Sequence, residues 1–322
     1  MHRGRSRSIP KMERLRPGSL EFAMTPDAQS ALASWSAPWG LYALLLLGVF
    51  LYASGWLHIR KIIPSAIPTW RFVSFLAGNV CVWLAIGSPL AAFDESSLTV
   101  HMIQHLLLMS FAPPLILLGA PALPLLHGLP QFLARDVIGP ILRWRPLQWL
   151  GGFLTNPAVA WLVAALTLLV WHVPEMFDLA LHSDFLHKFE HTTFFAAGLM
   201  FWWPVIQPWP SAARWHRWSI PLYLFAATLP CDALSGFLVF CDRVVYTPYL
   251  SAPKFLSLSV LQDQQAAAAL MWVCVTIIYL VPAVAITIQI LSPQKHFPTE
   301  ENSVDSSRIT GQPLKTPHLK VI

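Results

Sequence analysis

HMIQHLLLMSFAPPLILLGAP, residues 101–121, is the stretch whose reading decides the fold. Two imidazoles four residues apart head an apolar run with no Asp, Glu, Lys or Arg, and the run closes on prolines, a glycine and another proline. A helical crossing of a hydrocarbon core needs about 20 consecutive apolar residues, and this run supplies one. Working outward, stretches of the same character occur at 38–58, 71–93, 98–119, 156–173, 187–204, 219–240 and 265–291. The expectation is an all-α membrane protein, a bundle of about seven transmembrane helices.

Composition agrees. Hydrophobic residues make up 55% of the 322 and charged ones only 11%, with a mean hydropathy of +0.54, outside the range of a soluble globular chain. Residues 120–155 depart from the pattern, since Pro121, Pro124, Pro130, Pro140 and Pro146 interrupt them. Prolines this dense leave carbonyls unpaired in lipid, so an interfacial or re-entrant segment suits this region better than a span. The division expected is a polar tail over 1–36, a seven-span domain over 37–291 and a cytoplasmic disordered tail over 292–322. The four cysteines, Cys81, Cys231, Cys241 and Cys274, show no CxxC spacing and three sit inside apolar spans, which argues against a disulfide framework or a zinc finger. The net charge of +5 is not gathered into a basic, aromatic-interleaved module, so no nucleic-acid partner is expected.

Lys and Arg bias in short loops sets orientation. Arg60, Lys61 and Arg71 follow the first span, Arg135, Arg143 and Arg145 the third, Arg214 and Arg217 the fifth. Asp94, Glu95, Glu175, Asp178, Asp184, Asp242 and Asp263 occupy the alternate side. The N-terminus then lies outside and the C-terminus in the cytoplasm. Arg3, Arg5, Arg7, Lys11, Arg14 and Arg16 oppose that assignment, and a true start at Met24 would remove the conflict. Trp144, Trp149, Trp202, Trp203, Trp209, Trp215 and Trp218 cluster at the proposed inner ends, as an interfacial belt does.

On this topology His101, His105, His172, His182, His187 and His191 all fall at outer ends of spans. Residues four apart on a helix share a face, with Cβ atoms about 5–6 Å apart, so each HxxxH pair can grip one ion from adjacent turns. Two pairs and His172 make a cage. A lone HxxxH is common by chance, and a lone intramembrane histidine is more often an interhelical hydrogen bond than a ligand; the convergence of five at one depth carries the metal reading. Imidazole suits Zn, Cu, Fe and Ni, and softer ligands nearby tilt the choice toward copper. Further candidate ligands are Cys231 and Asp232, Cys241 beside Asp242, Asp263, and Met271 two turns deeper. Gln104 and Glu190, each beside a pair, are placed to orient the rings through a second nitrogen. Neutral imidazoles bind metal only while deprotonated, so affinity should fall below about pH 6.5.

At these residues the sequence resembles the multi-spanning CtaG family of cytochrome c oxidase assembly factors. The resemblance rests on HMIQH with PPLILLGAP, WHVPEMFDLAL from Trp171, HKFEHTTFFAAGLMFWWPVI from His187, ALSGFLVFCDRVVYTPY from Ala233 and DQQAAAALMW from Asp263, and it covers roughly residues 37–291. It implies a non-enzymatic seven-span protein of the bacterial plasma membrane that assists maturation of haem-copper oxidase, with oxidase subunits as partners and copper as cargo. The family pattern falls on His101, His105, His172, His187, His191 and Asp263. Alanines 266–269 are a departure, standing where relatives tend to have glycines. Two other classes stay open on the residues alone: a haem-binding electron-transfer protein with axial histidines, and a membrane di-iron hydroxylase or desaturase, which ordinarily carries cytoplasmic HxxHH boxes absent here.

Overall fold

The computed structural model describes residues 32–292 except 34, 209–215, 217 and 254–257. Most of both tails, the start proposed at Met24, and Trp209, Arg214, Trp215 and Arg217 therefore lie outside the described residues. The described elements are all helical: α1 (Trp39–Ile62), α2 (Thr69–Phe93), α3 (Leu98–Leu118), α4 (Ala122–Gly128), α5 (Arg145–Leu154), α6 (Pro157–Trp171), α7 (Pro174–Leu181), α8 (Asp184–Ile206), α9 (Ser219–Phe240) and α10 (Val260–Leu291).

Five of these, α1, α2, α3, α9 and α10, are each long and apolar enough to cross a membrane, and α5 with α6 forms a sixth crossing only as a pair bent by 66°. The count of seven is not reached on those terms. The helix that falls short is α8, whose first half carries Asp184, Lys188, Glu190, His191, Thr192 and Thr193. Two of the polar residues that lower its hydropathy, Glu190 and His191, belong to the site described below. The proline-rich region behaves as its composition predicts, breaking into short pieces with Pro140, Pro146 and Pro157 in the first turns of Gly139–Arg143, α5 and α6. Proline suits a first turn because its missing N–H has no intrahelical partner there anyway.

The outward faces are greasy. Leu46 and Phe50 on α1, Leu222, Phe225 and Leu229 on α9, and Val273, Ile277, Val281 and Ile288 on α10 are all exposed at helical spacing. Such stripes, with backbone polar groups satisfied inside each helix, are what lipid demands of a spanning element. This is a membrane protein. Glycines bring some helices together backbone to backbone. A Cβ on Gly55 would fall 1.8 Å from the Pro124 carbonyl oxygen, and one on Gly128 would fall 1.9 Å from that of Leu51, so α1 and α4 cross with no side chain between them. Inside the α2–α3 pair, Ser74 Oγ donates to the Leu115 carbonyl at 2.7 Å. Pro113 and Pro114 do not end α3; a π turn over Leu107–Phe111 precedes them and the helix continues to Leu118. The alanines of α10 pack closely, with Ala267 and Ala268 each 1% exposed in the main core.

Candidate metal centre

Three helix ends meet at one level. Ser97 caps α3 by accepting from Val100 N, which starts the helix so that His101 and His105 occupy its first two turns. Ser183 caps α8 in the same way, setting His187 and His191 in its opening turns. His172 follows the last residue of α6, where Val173–Pro174 stops that helix and begins α7. Trp171 Nε1 donates to Thr193 Oγ1 at 2.9 Å, tying the end of α6 to α8.

The result is a cluster of five imidazoles. Ring centroids are 4.4 Å apart for His101 and His105, 4.4 Å for His187 and His191, 5.4 Å for His101 and His187, 5.6 Å for His105 and His191, and 6.3 Å for His105 and His172. Glu190 sits among them, fully buried, its Oε1 3.7 Å from His101 Nε2 and 3.4 Å from His105 Nε2. One ligand atom from each of His101, His105 and Glu190 lies within 4.8 Å of the others, a spacing a single cation can bridge with small side-chain movements.

The electrostatics are unusual. Buried polar atoms in proteins nearly always have partners, yet both ring nitrogens of His101 and His105, Nε2 of His172, His187 and His191, and both carboxylate oxygens of Glu190 have no hydrogen-bond partner. His172 Nδ1 lies 2.7 Å from the Leu168 carbonyl oxygen. A carbonyl only accepts, so the proton sits on Nδ1 and the Nε2 lone pair is free. Phe177 packs 5.1 Å from the His101 ring and Phe194 4.1 Å from His105, apolar neighbours that supply no hydrogen bond. A cation is the species that such a donor set fits.

A loop roofs the cluster. Gln264 accepts from Val245 N at 2.7 Å and donates to the Arg243 carbonyl at 3.1 Å, which seats Tyr246 4.4 Å from Phe177 and lets Tyr249 donate to the Asp94 backbone carbonyl. Asp94 Oδ2 stands 3.8 Å from His187 Nε2. Burial raises its carboxyl to about 6.

The other candidates divide. Asp263 is spent on the entrance to α3, accepting from Leu98 N at 2.7 Å, Thr99 Oγ1 at 2.6 Å and Ser97 Oγ at 3.0 Å; its carboxylate positions the histidine helix rather than facing the rings. His182 is exposed, bonded through Nδ1 to the Asp178 carbonyl at 2.8 Å, and stands apart. Cys241 caps the end of α9, and Asp232 has a buried Oδ1 without a partner, but neither is gathered with the cluster. Cys231 and Met271 line a cavity with His105 and His172. Gln104 does not orient a ring; its amide donates to the Ala85 carbonyl and toward Asp94. Glu190 is not an outer support but the acid within the cluster. Gln104 has the same spacing from its own histidine pair, so spacing alone did not mark Glu190 as the acid of the cluster. Nothing local in the sequence marked Asp94, which reaches the site across a turn from another helix.

A family model described as a cytochrome c oxidase caa3 assembly factor matches residues 50–292. Uncharacterized proteins of Mycobacterium bovis and Mycobacterium tuberculosis are each 26% identical to this chain over 229 residues, 69% of its length and 34% of theirs. One from Mycobacterium leprae is 24% identical over 253 residues, 76% of this chain and 37% of its own. The chain thus spans about a third of the length of these relatives. No solved structure matches.

Proposed function

The chain belongs to the cytochrome c oxidase caa3 assembly factor family, and from that premise we propose that its histidine cluster binds copper and passes it to the oxidase during assembly. The observation that carries this reading is the set of buried, partnerless imidazole nitrogens around an equally partnerless Glu190. An unpaired carboxylate in a dry site is costly, and a coordinated cation offsets that cost while using the free lone pairs. Neutral imidazoles and one carboxylate are ligands that borderline transition metals accept. Transfer is a ligand exchange with no catalytic step. In the bacterial plasma membrane, with the N-terminus outside, the cluster lies beneath its roofing loop toward the extracytoplasmic face, where an oxidase subunit can receive the ion.

The test is elemental analysis of purified protein together with oxidase copper content in cells carrying His101→Ala and His105→Ala together. The expected result is copper in the wild-type protein and its loss in the variant, with oxidase copper falling and membrane insertion unchanged. Unchanged oxidase copper, or zinc or haem iron in place of copper, would refute the reading.

A further inference from the structure

Beside the histidine cluster, deeper in the bundle, lies a partly open cavity of about 40 Å³. His105 and His172 form part of its wall, and so do Met102 and Met109 of α3, Cys231 of α9 and Met271 of α10. Three of the five methionines among the described residues therefore face one space. Met102 and Met109 are seven residues apart, two helical turns, which puts both on the same face of α3. Met102, Cys231 and Met271 are 2%, 3% and 4% exposed, and His105 and His172 are each 5% exposed. The free Nε2 of His172 points away from its own helix, because Nδ1 is bound back to Leu168.

We propose that this cavity is a second, soft metal site, selective for Cu(I), in which the thioethers of Met102, Met109 and Met271 take the ion from His105 and His172, with the sulfur of Cys231 in the same wall. The proposal rests on the copper reading of the outer cluster and adds the oxidation state and the inward destination of the ion. Thioethers are soft, uncharged donors that select Cu(I) over harder divalent ions. Charge acts in the same direction. The cost of moving an ion from water into a low-dielectric cavity grows with the square of its charge, so a monovalent ion enters where Zn(II) or Cu(II) does not. His105 and His172 border both compartments, so an ion can exchange nitrogen for sulfur one ligand at a time.

The experiment uses the full-length protein in detergent, loaded anaerobically with one and then two equivalents of Cu(I) in ascorbate and read by X-ray absorption at the copper edge. Sulfur scatterers around copper are expected, replaced in part by selenium scatterers when the protein is made with selenomethionine; that readout needs no substitution. M102L, M109L, M271L and C231S together keep volume nearly constant and should lower Cu(I) affinity at least tenfold while leaving Zn(II) binding at the outer cluster unaltered. Copper bound with nitrogen and oxygen scatterers alone overturns the soft site and leaves the outer cluster standing. No copper bound to the wild-type protein overturns both.

Discussion

Gly198→Ala probes how the centre is assembled without touching a residue of the histidine cluster. Gly198 lies on α8 two turns beyond His191, at the crossing with α3. A Cβ there would fall 2.6 Å from the Met109 carbonyl oxygen, 2.7 Å from Pro113 Cγ and 3.0 Å from Met109 Cα. Ordinary contact for a Cβ begins at 3.4 Å, and the obstacle is backbone, so the two helices must part by about 0.8 Å. Overpacking of this kind costs about 1–3 kcal/mol, and alanine returns up to about 1 kcal/mol through its better helix propensity. The expected loss of stability is therefore small, on the order of 1 kcal/mol. The effect on binding is larger, because α3 carries His101 and His105 while α8 carries Glu190 and His191, and metal–ligand distances tolerate only about ±0.2 Å. Copper affinity, measured by competition with a chromophoric chelator, should fall at least tenfold, which is about 1.4 kcal/mol. Gly236→Ala is the control, since its nearest neighbour, the Trp272 ring, is 3.8 Å away. If Gly198→Ala holds copper as tightly as wild type, or Gly236→Ala loses as much, helix separation does not govern the site.

Gly55→Ala should lower thermal stability more than Gly198→Ala, because its Cβ would meet the Pro124 carbonyl at 1.8 Å, yet the folded fraction should keep full copper affinity; a selective loss of copper would contradict this division. Asp263→Asn presents an amide to donors that the carboxylate accepts and should cost about 2–3 kcal/mol in chemical unfolding, with copper stoichiometry retained. Copper loss at unchanged stability would instead make Asp263 a ligand. Asp94 is raised by burial from 3.8 to about 6, so the folded metal-free protein holds this proton more tightly than the unfolded chain. Stability should therefore decline as pH rises between about 4 and 6, and Asp94→Asn should remove its share of that decline in a series of unfolding midpoints. An identical slope in the variant would exclude Asp94 as its source.

Much of this was readable one residue at a time. Apolar runs of bilayer length, prolines that confine 120–155 to short pieces, and two HxxxH pairs at matching ends of their helices are local patterns, and a helix with a period of 3.6 residues converts each into a face without reference to any neighbour. A common level for His101, His105, His172, His187 and His191 followed from those faces and a shared depth, but that their helices touch did not, because helix order around the bundle is not readable from loop lengths. Other features depended on partners distant along the chain. Asp263 and Ser97 look alike as polar residues at helix starts, and only the packing of α10 against α3 makes the carboxylate a cap for the histidine helix. Asp94 enters the site from the end of α2, Phe177 walls it from α7 and Tyr246 roofs it from the loop before α10, and Glu190 becomes the central acid because three helices bury it without a donor. Periodicity sets which way a side chain leaves its own helix, but burial and partnership are sums over neighbours, and those exist only once the helices have packed.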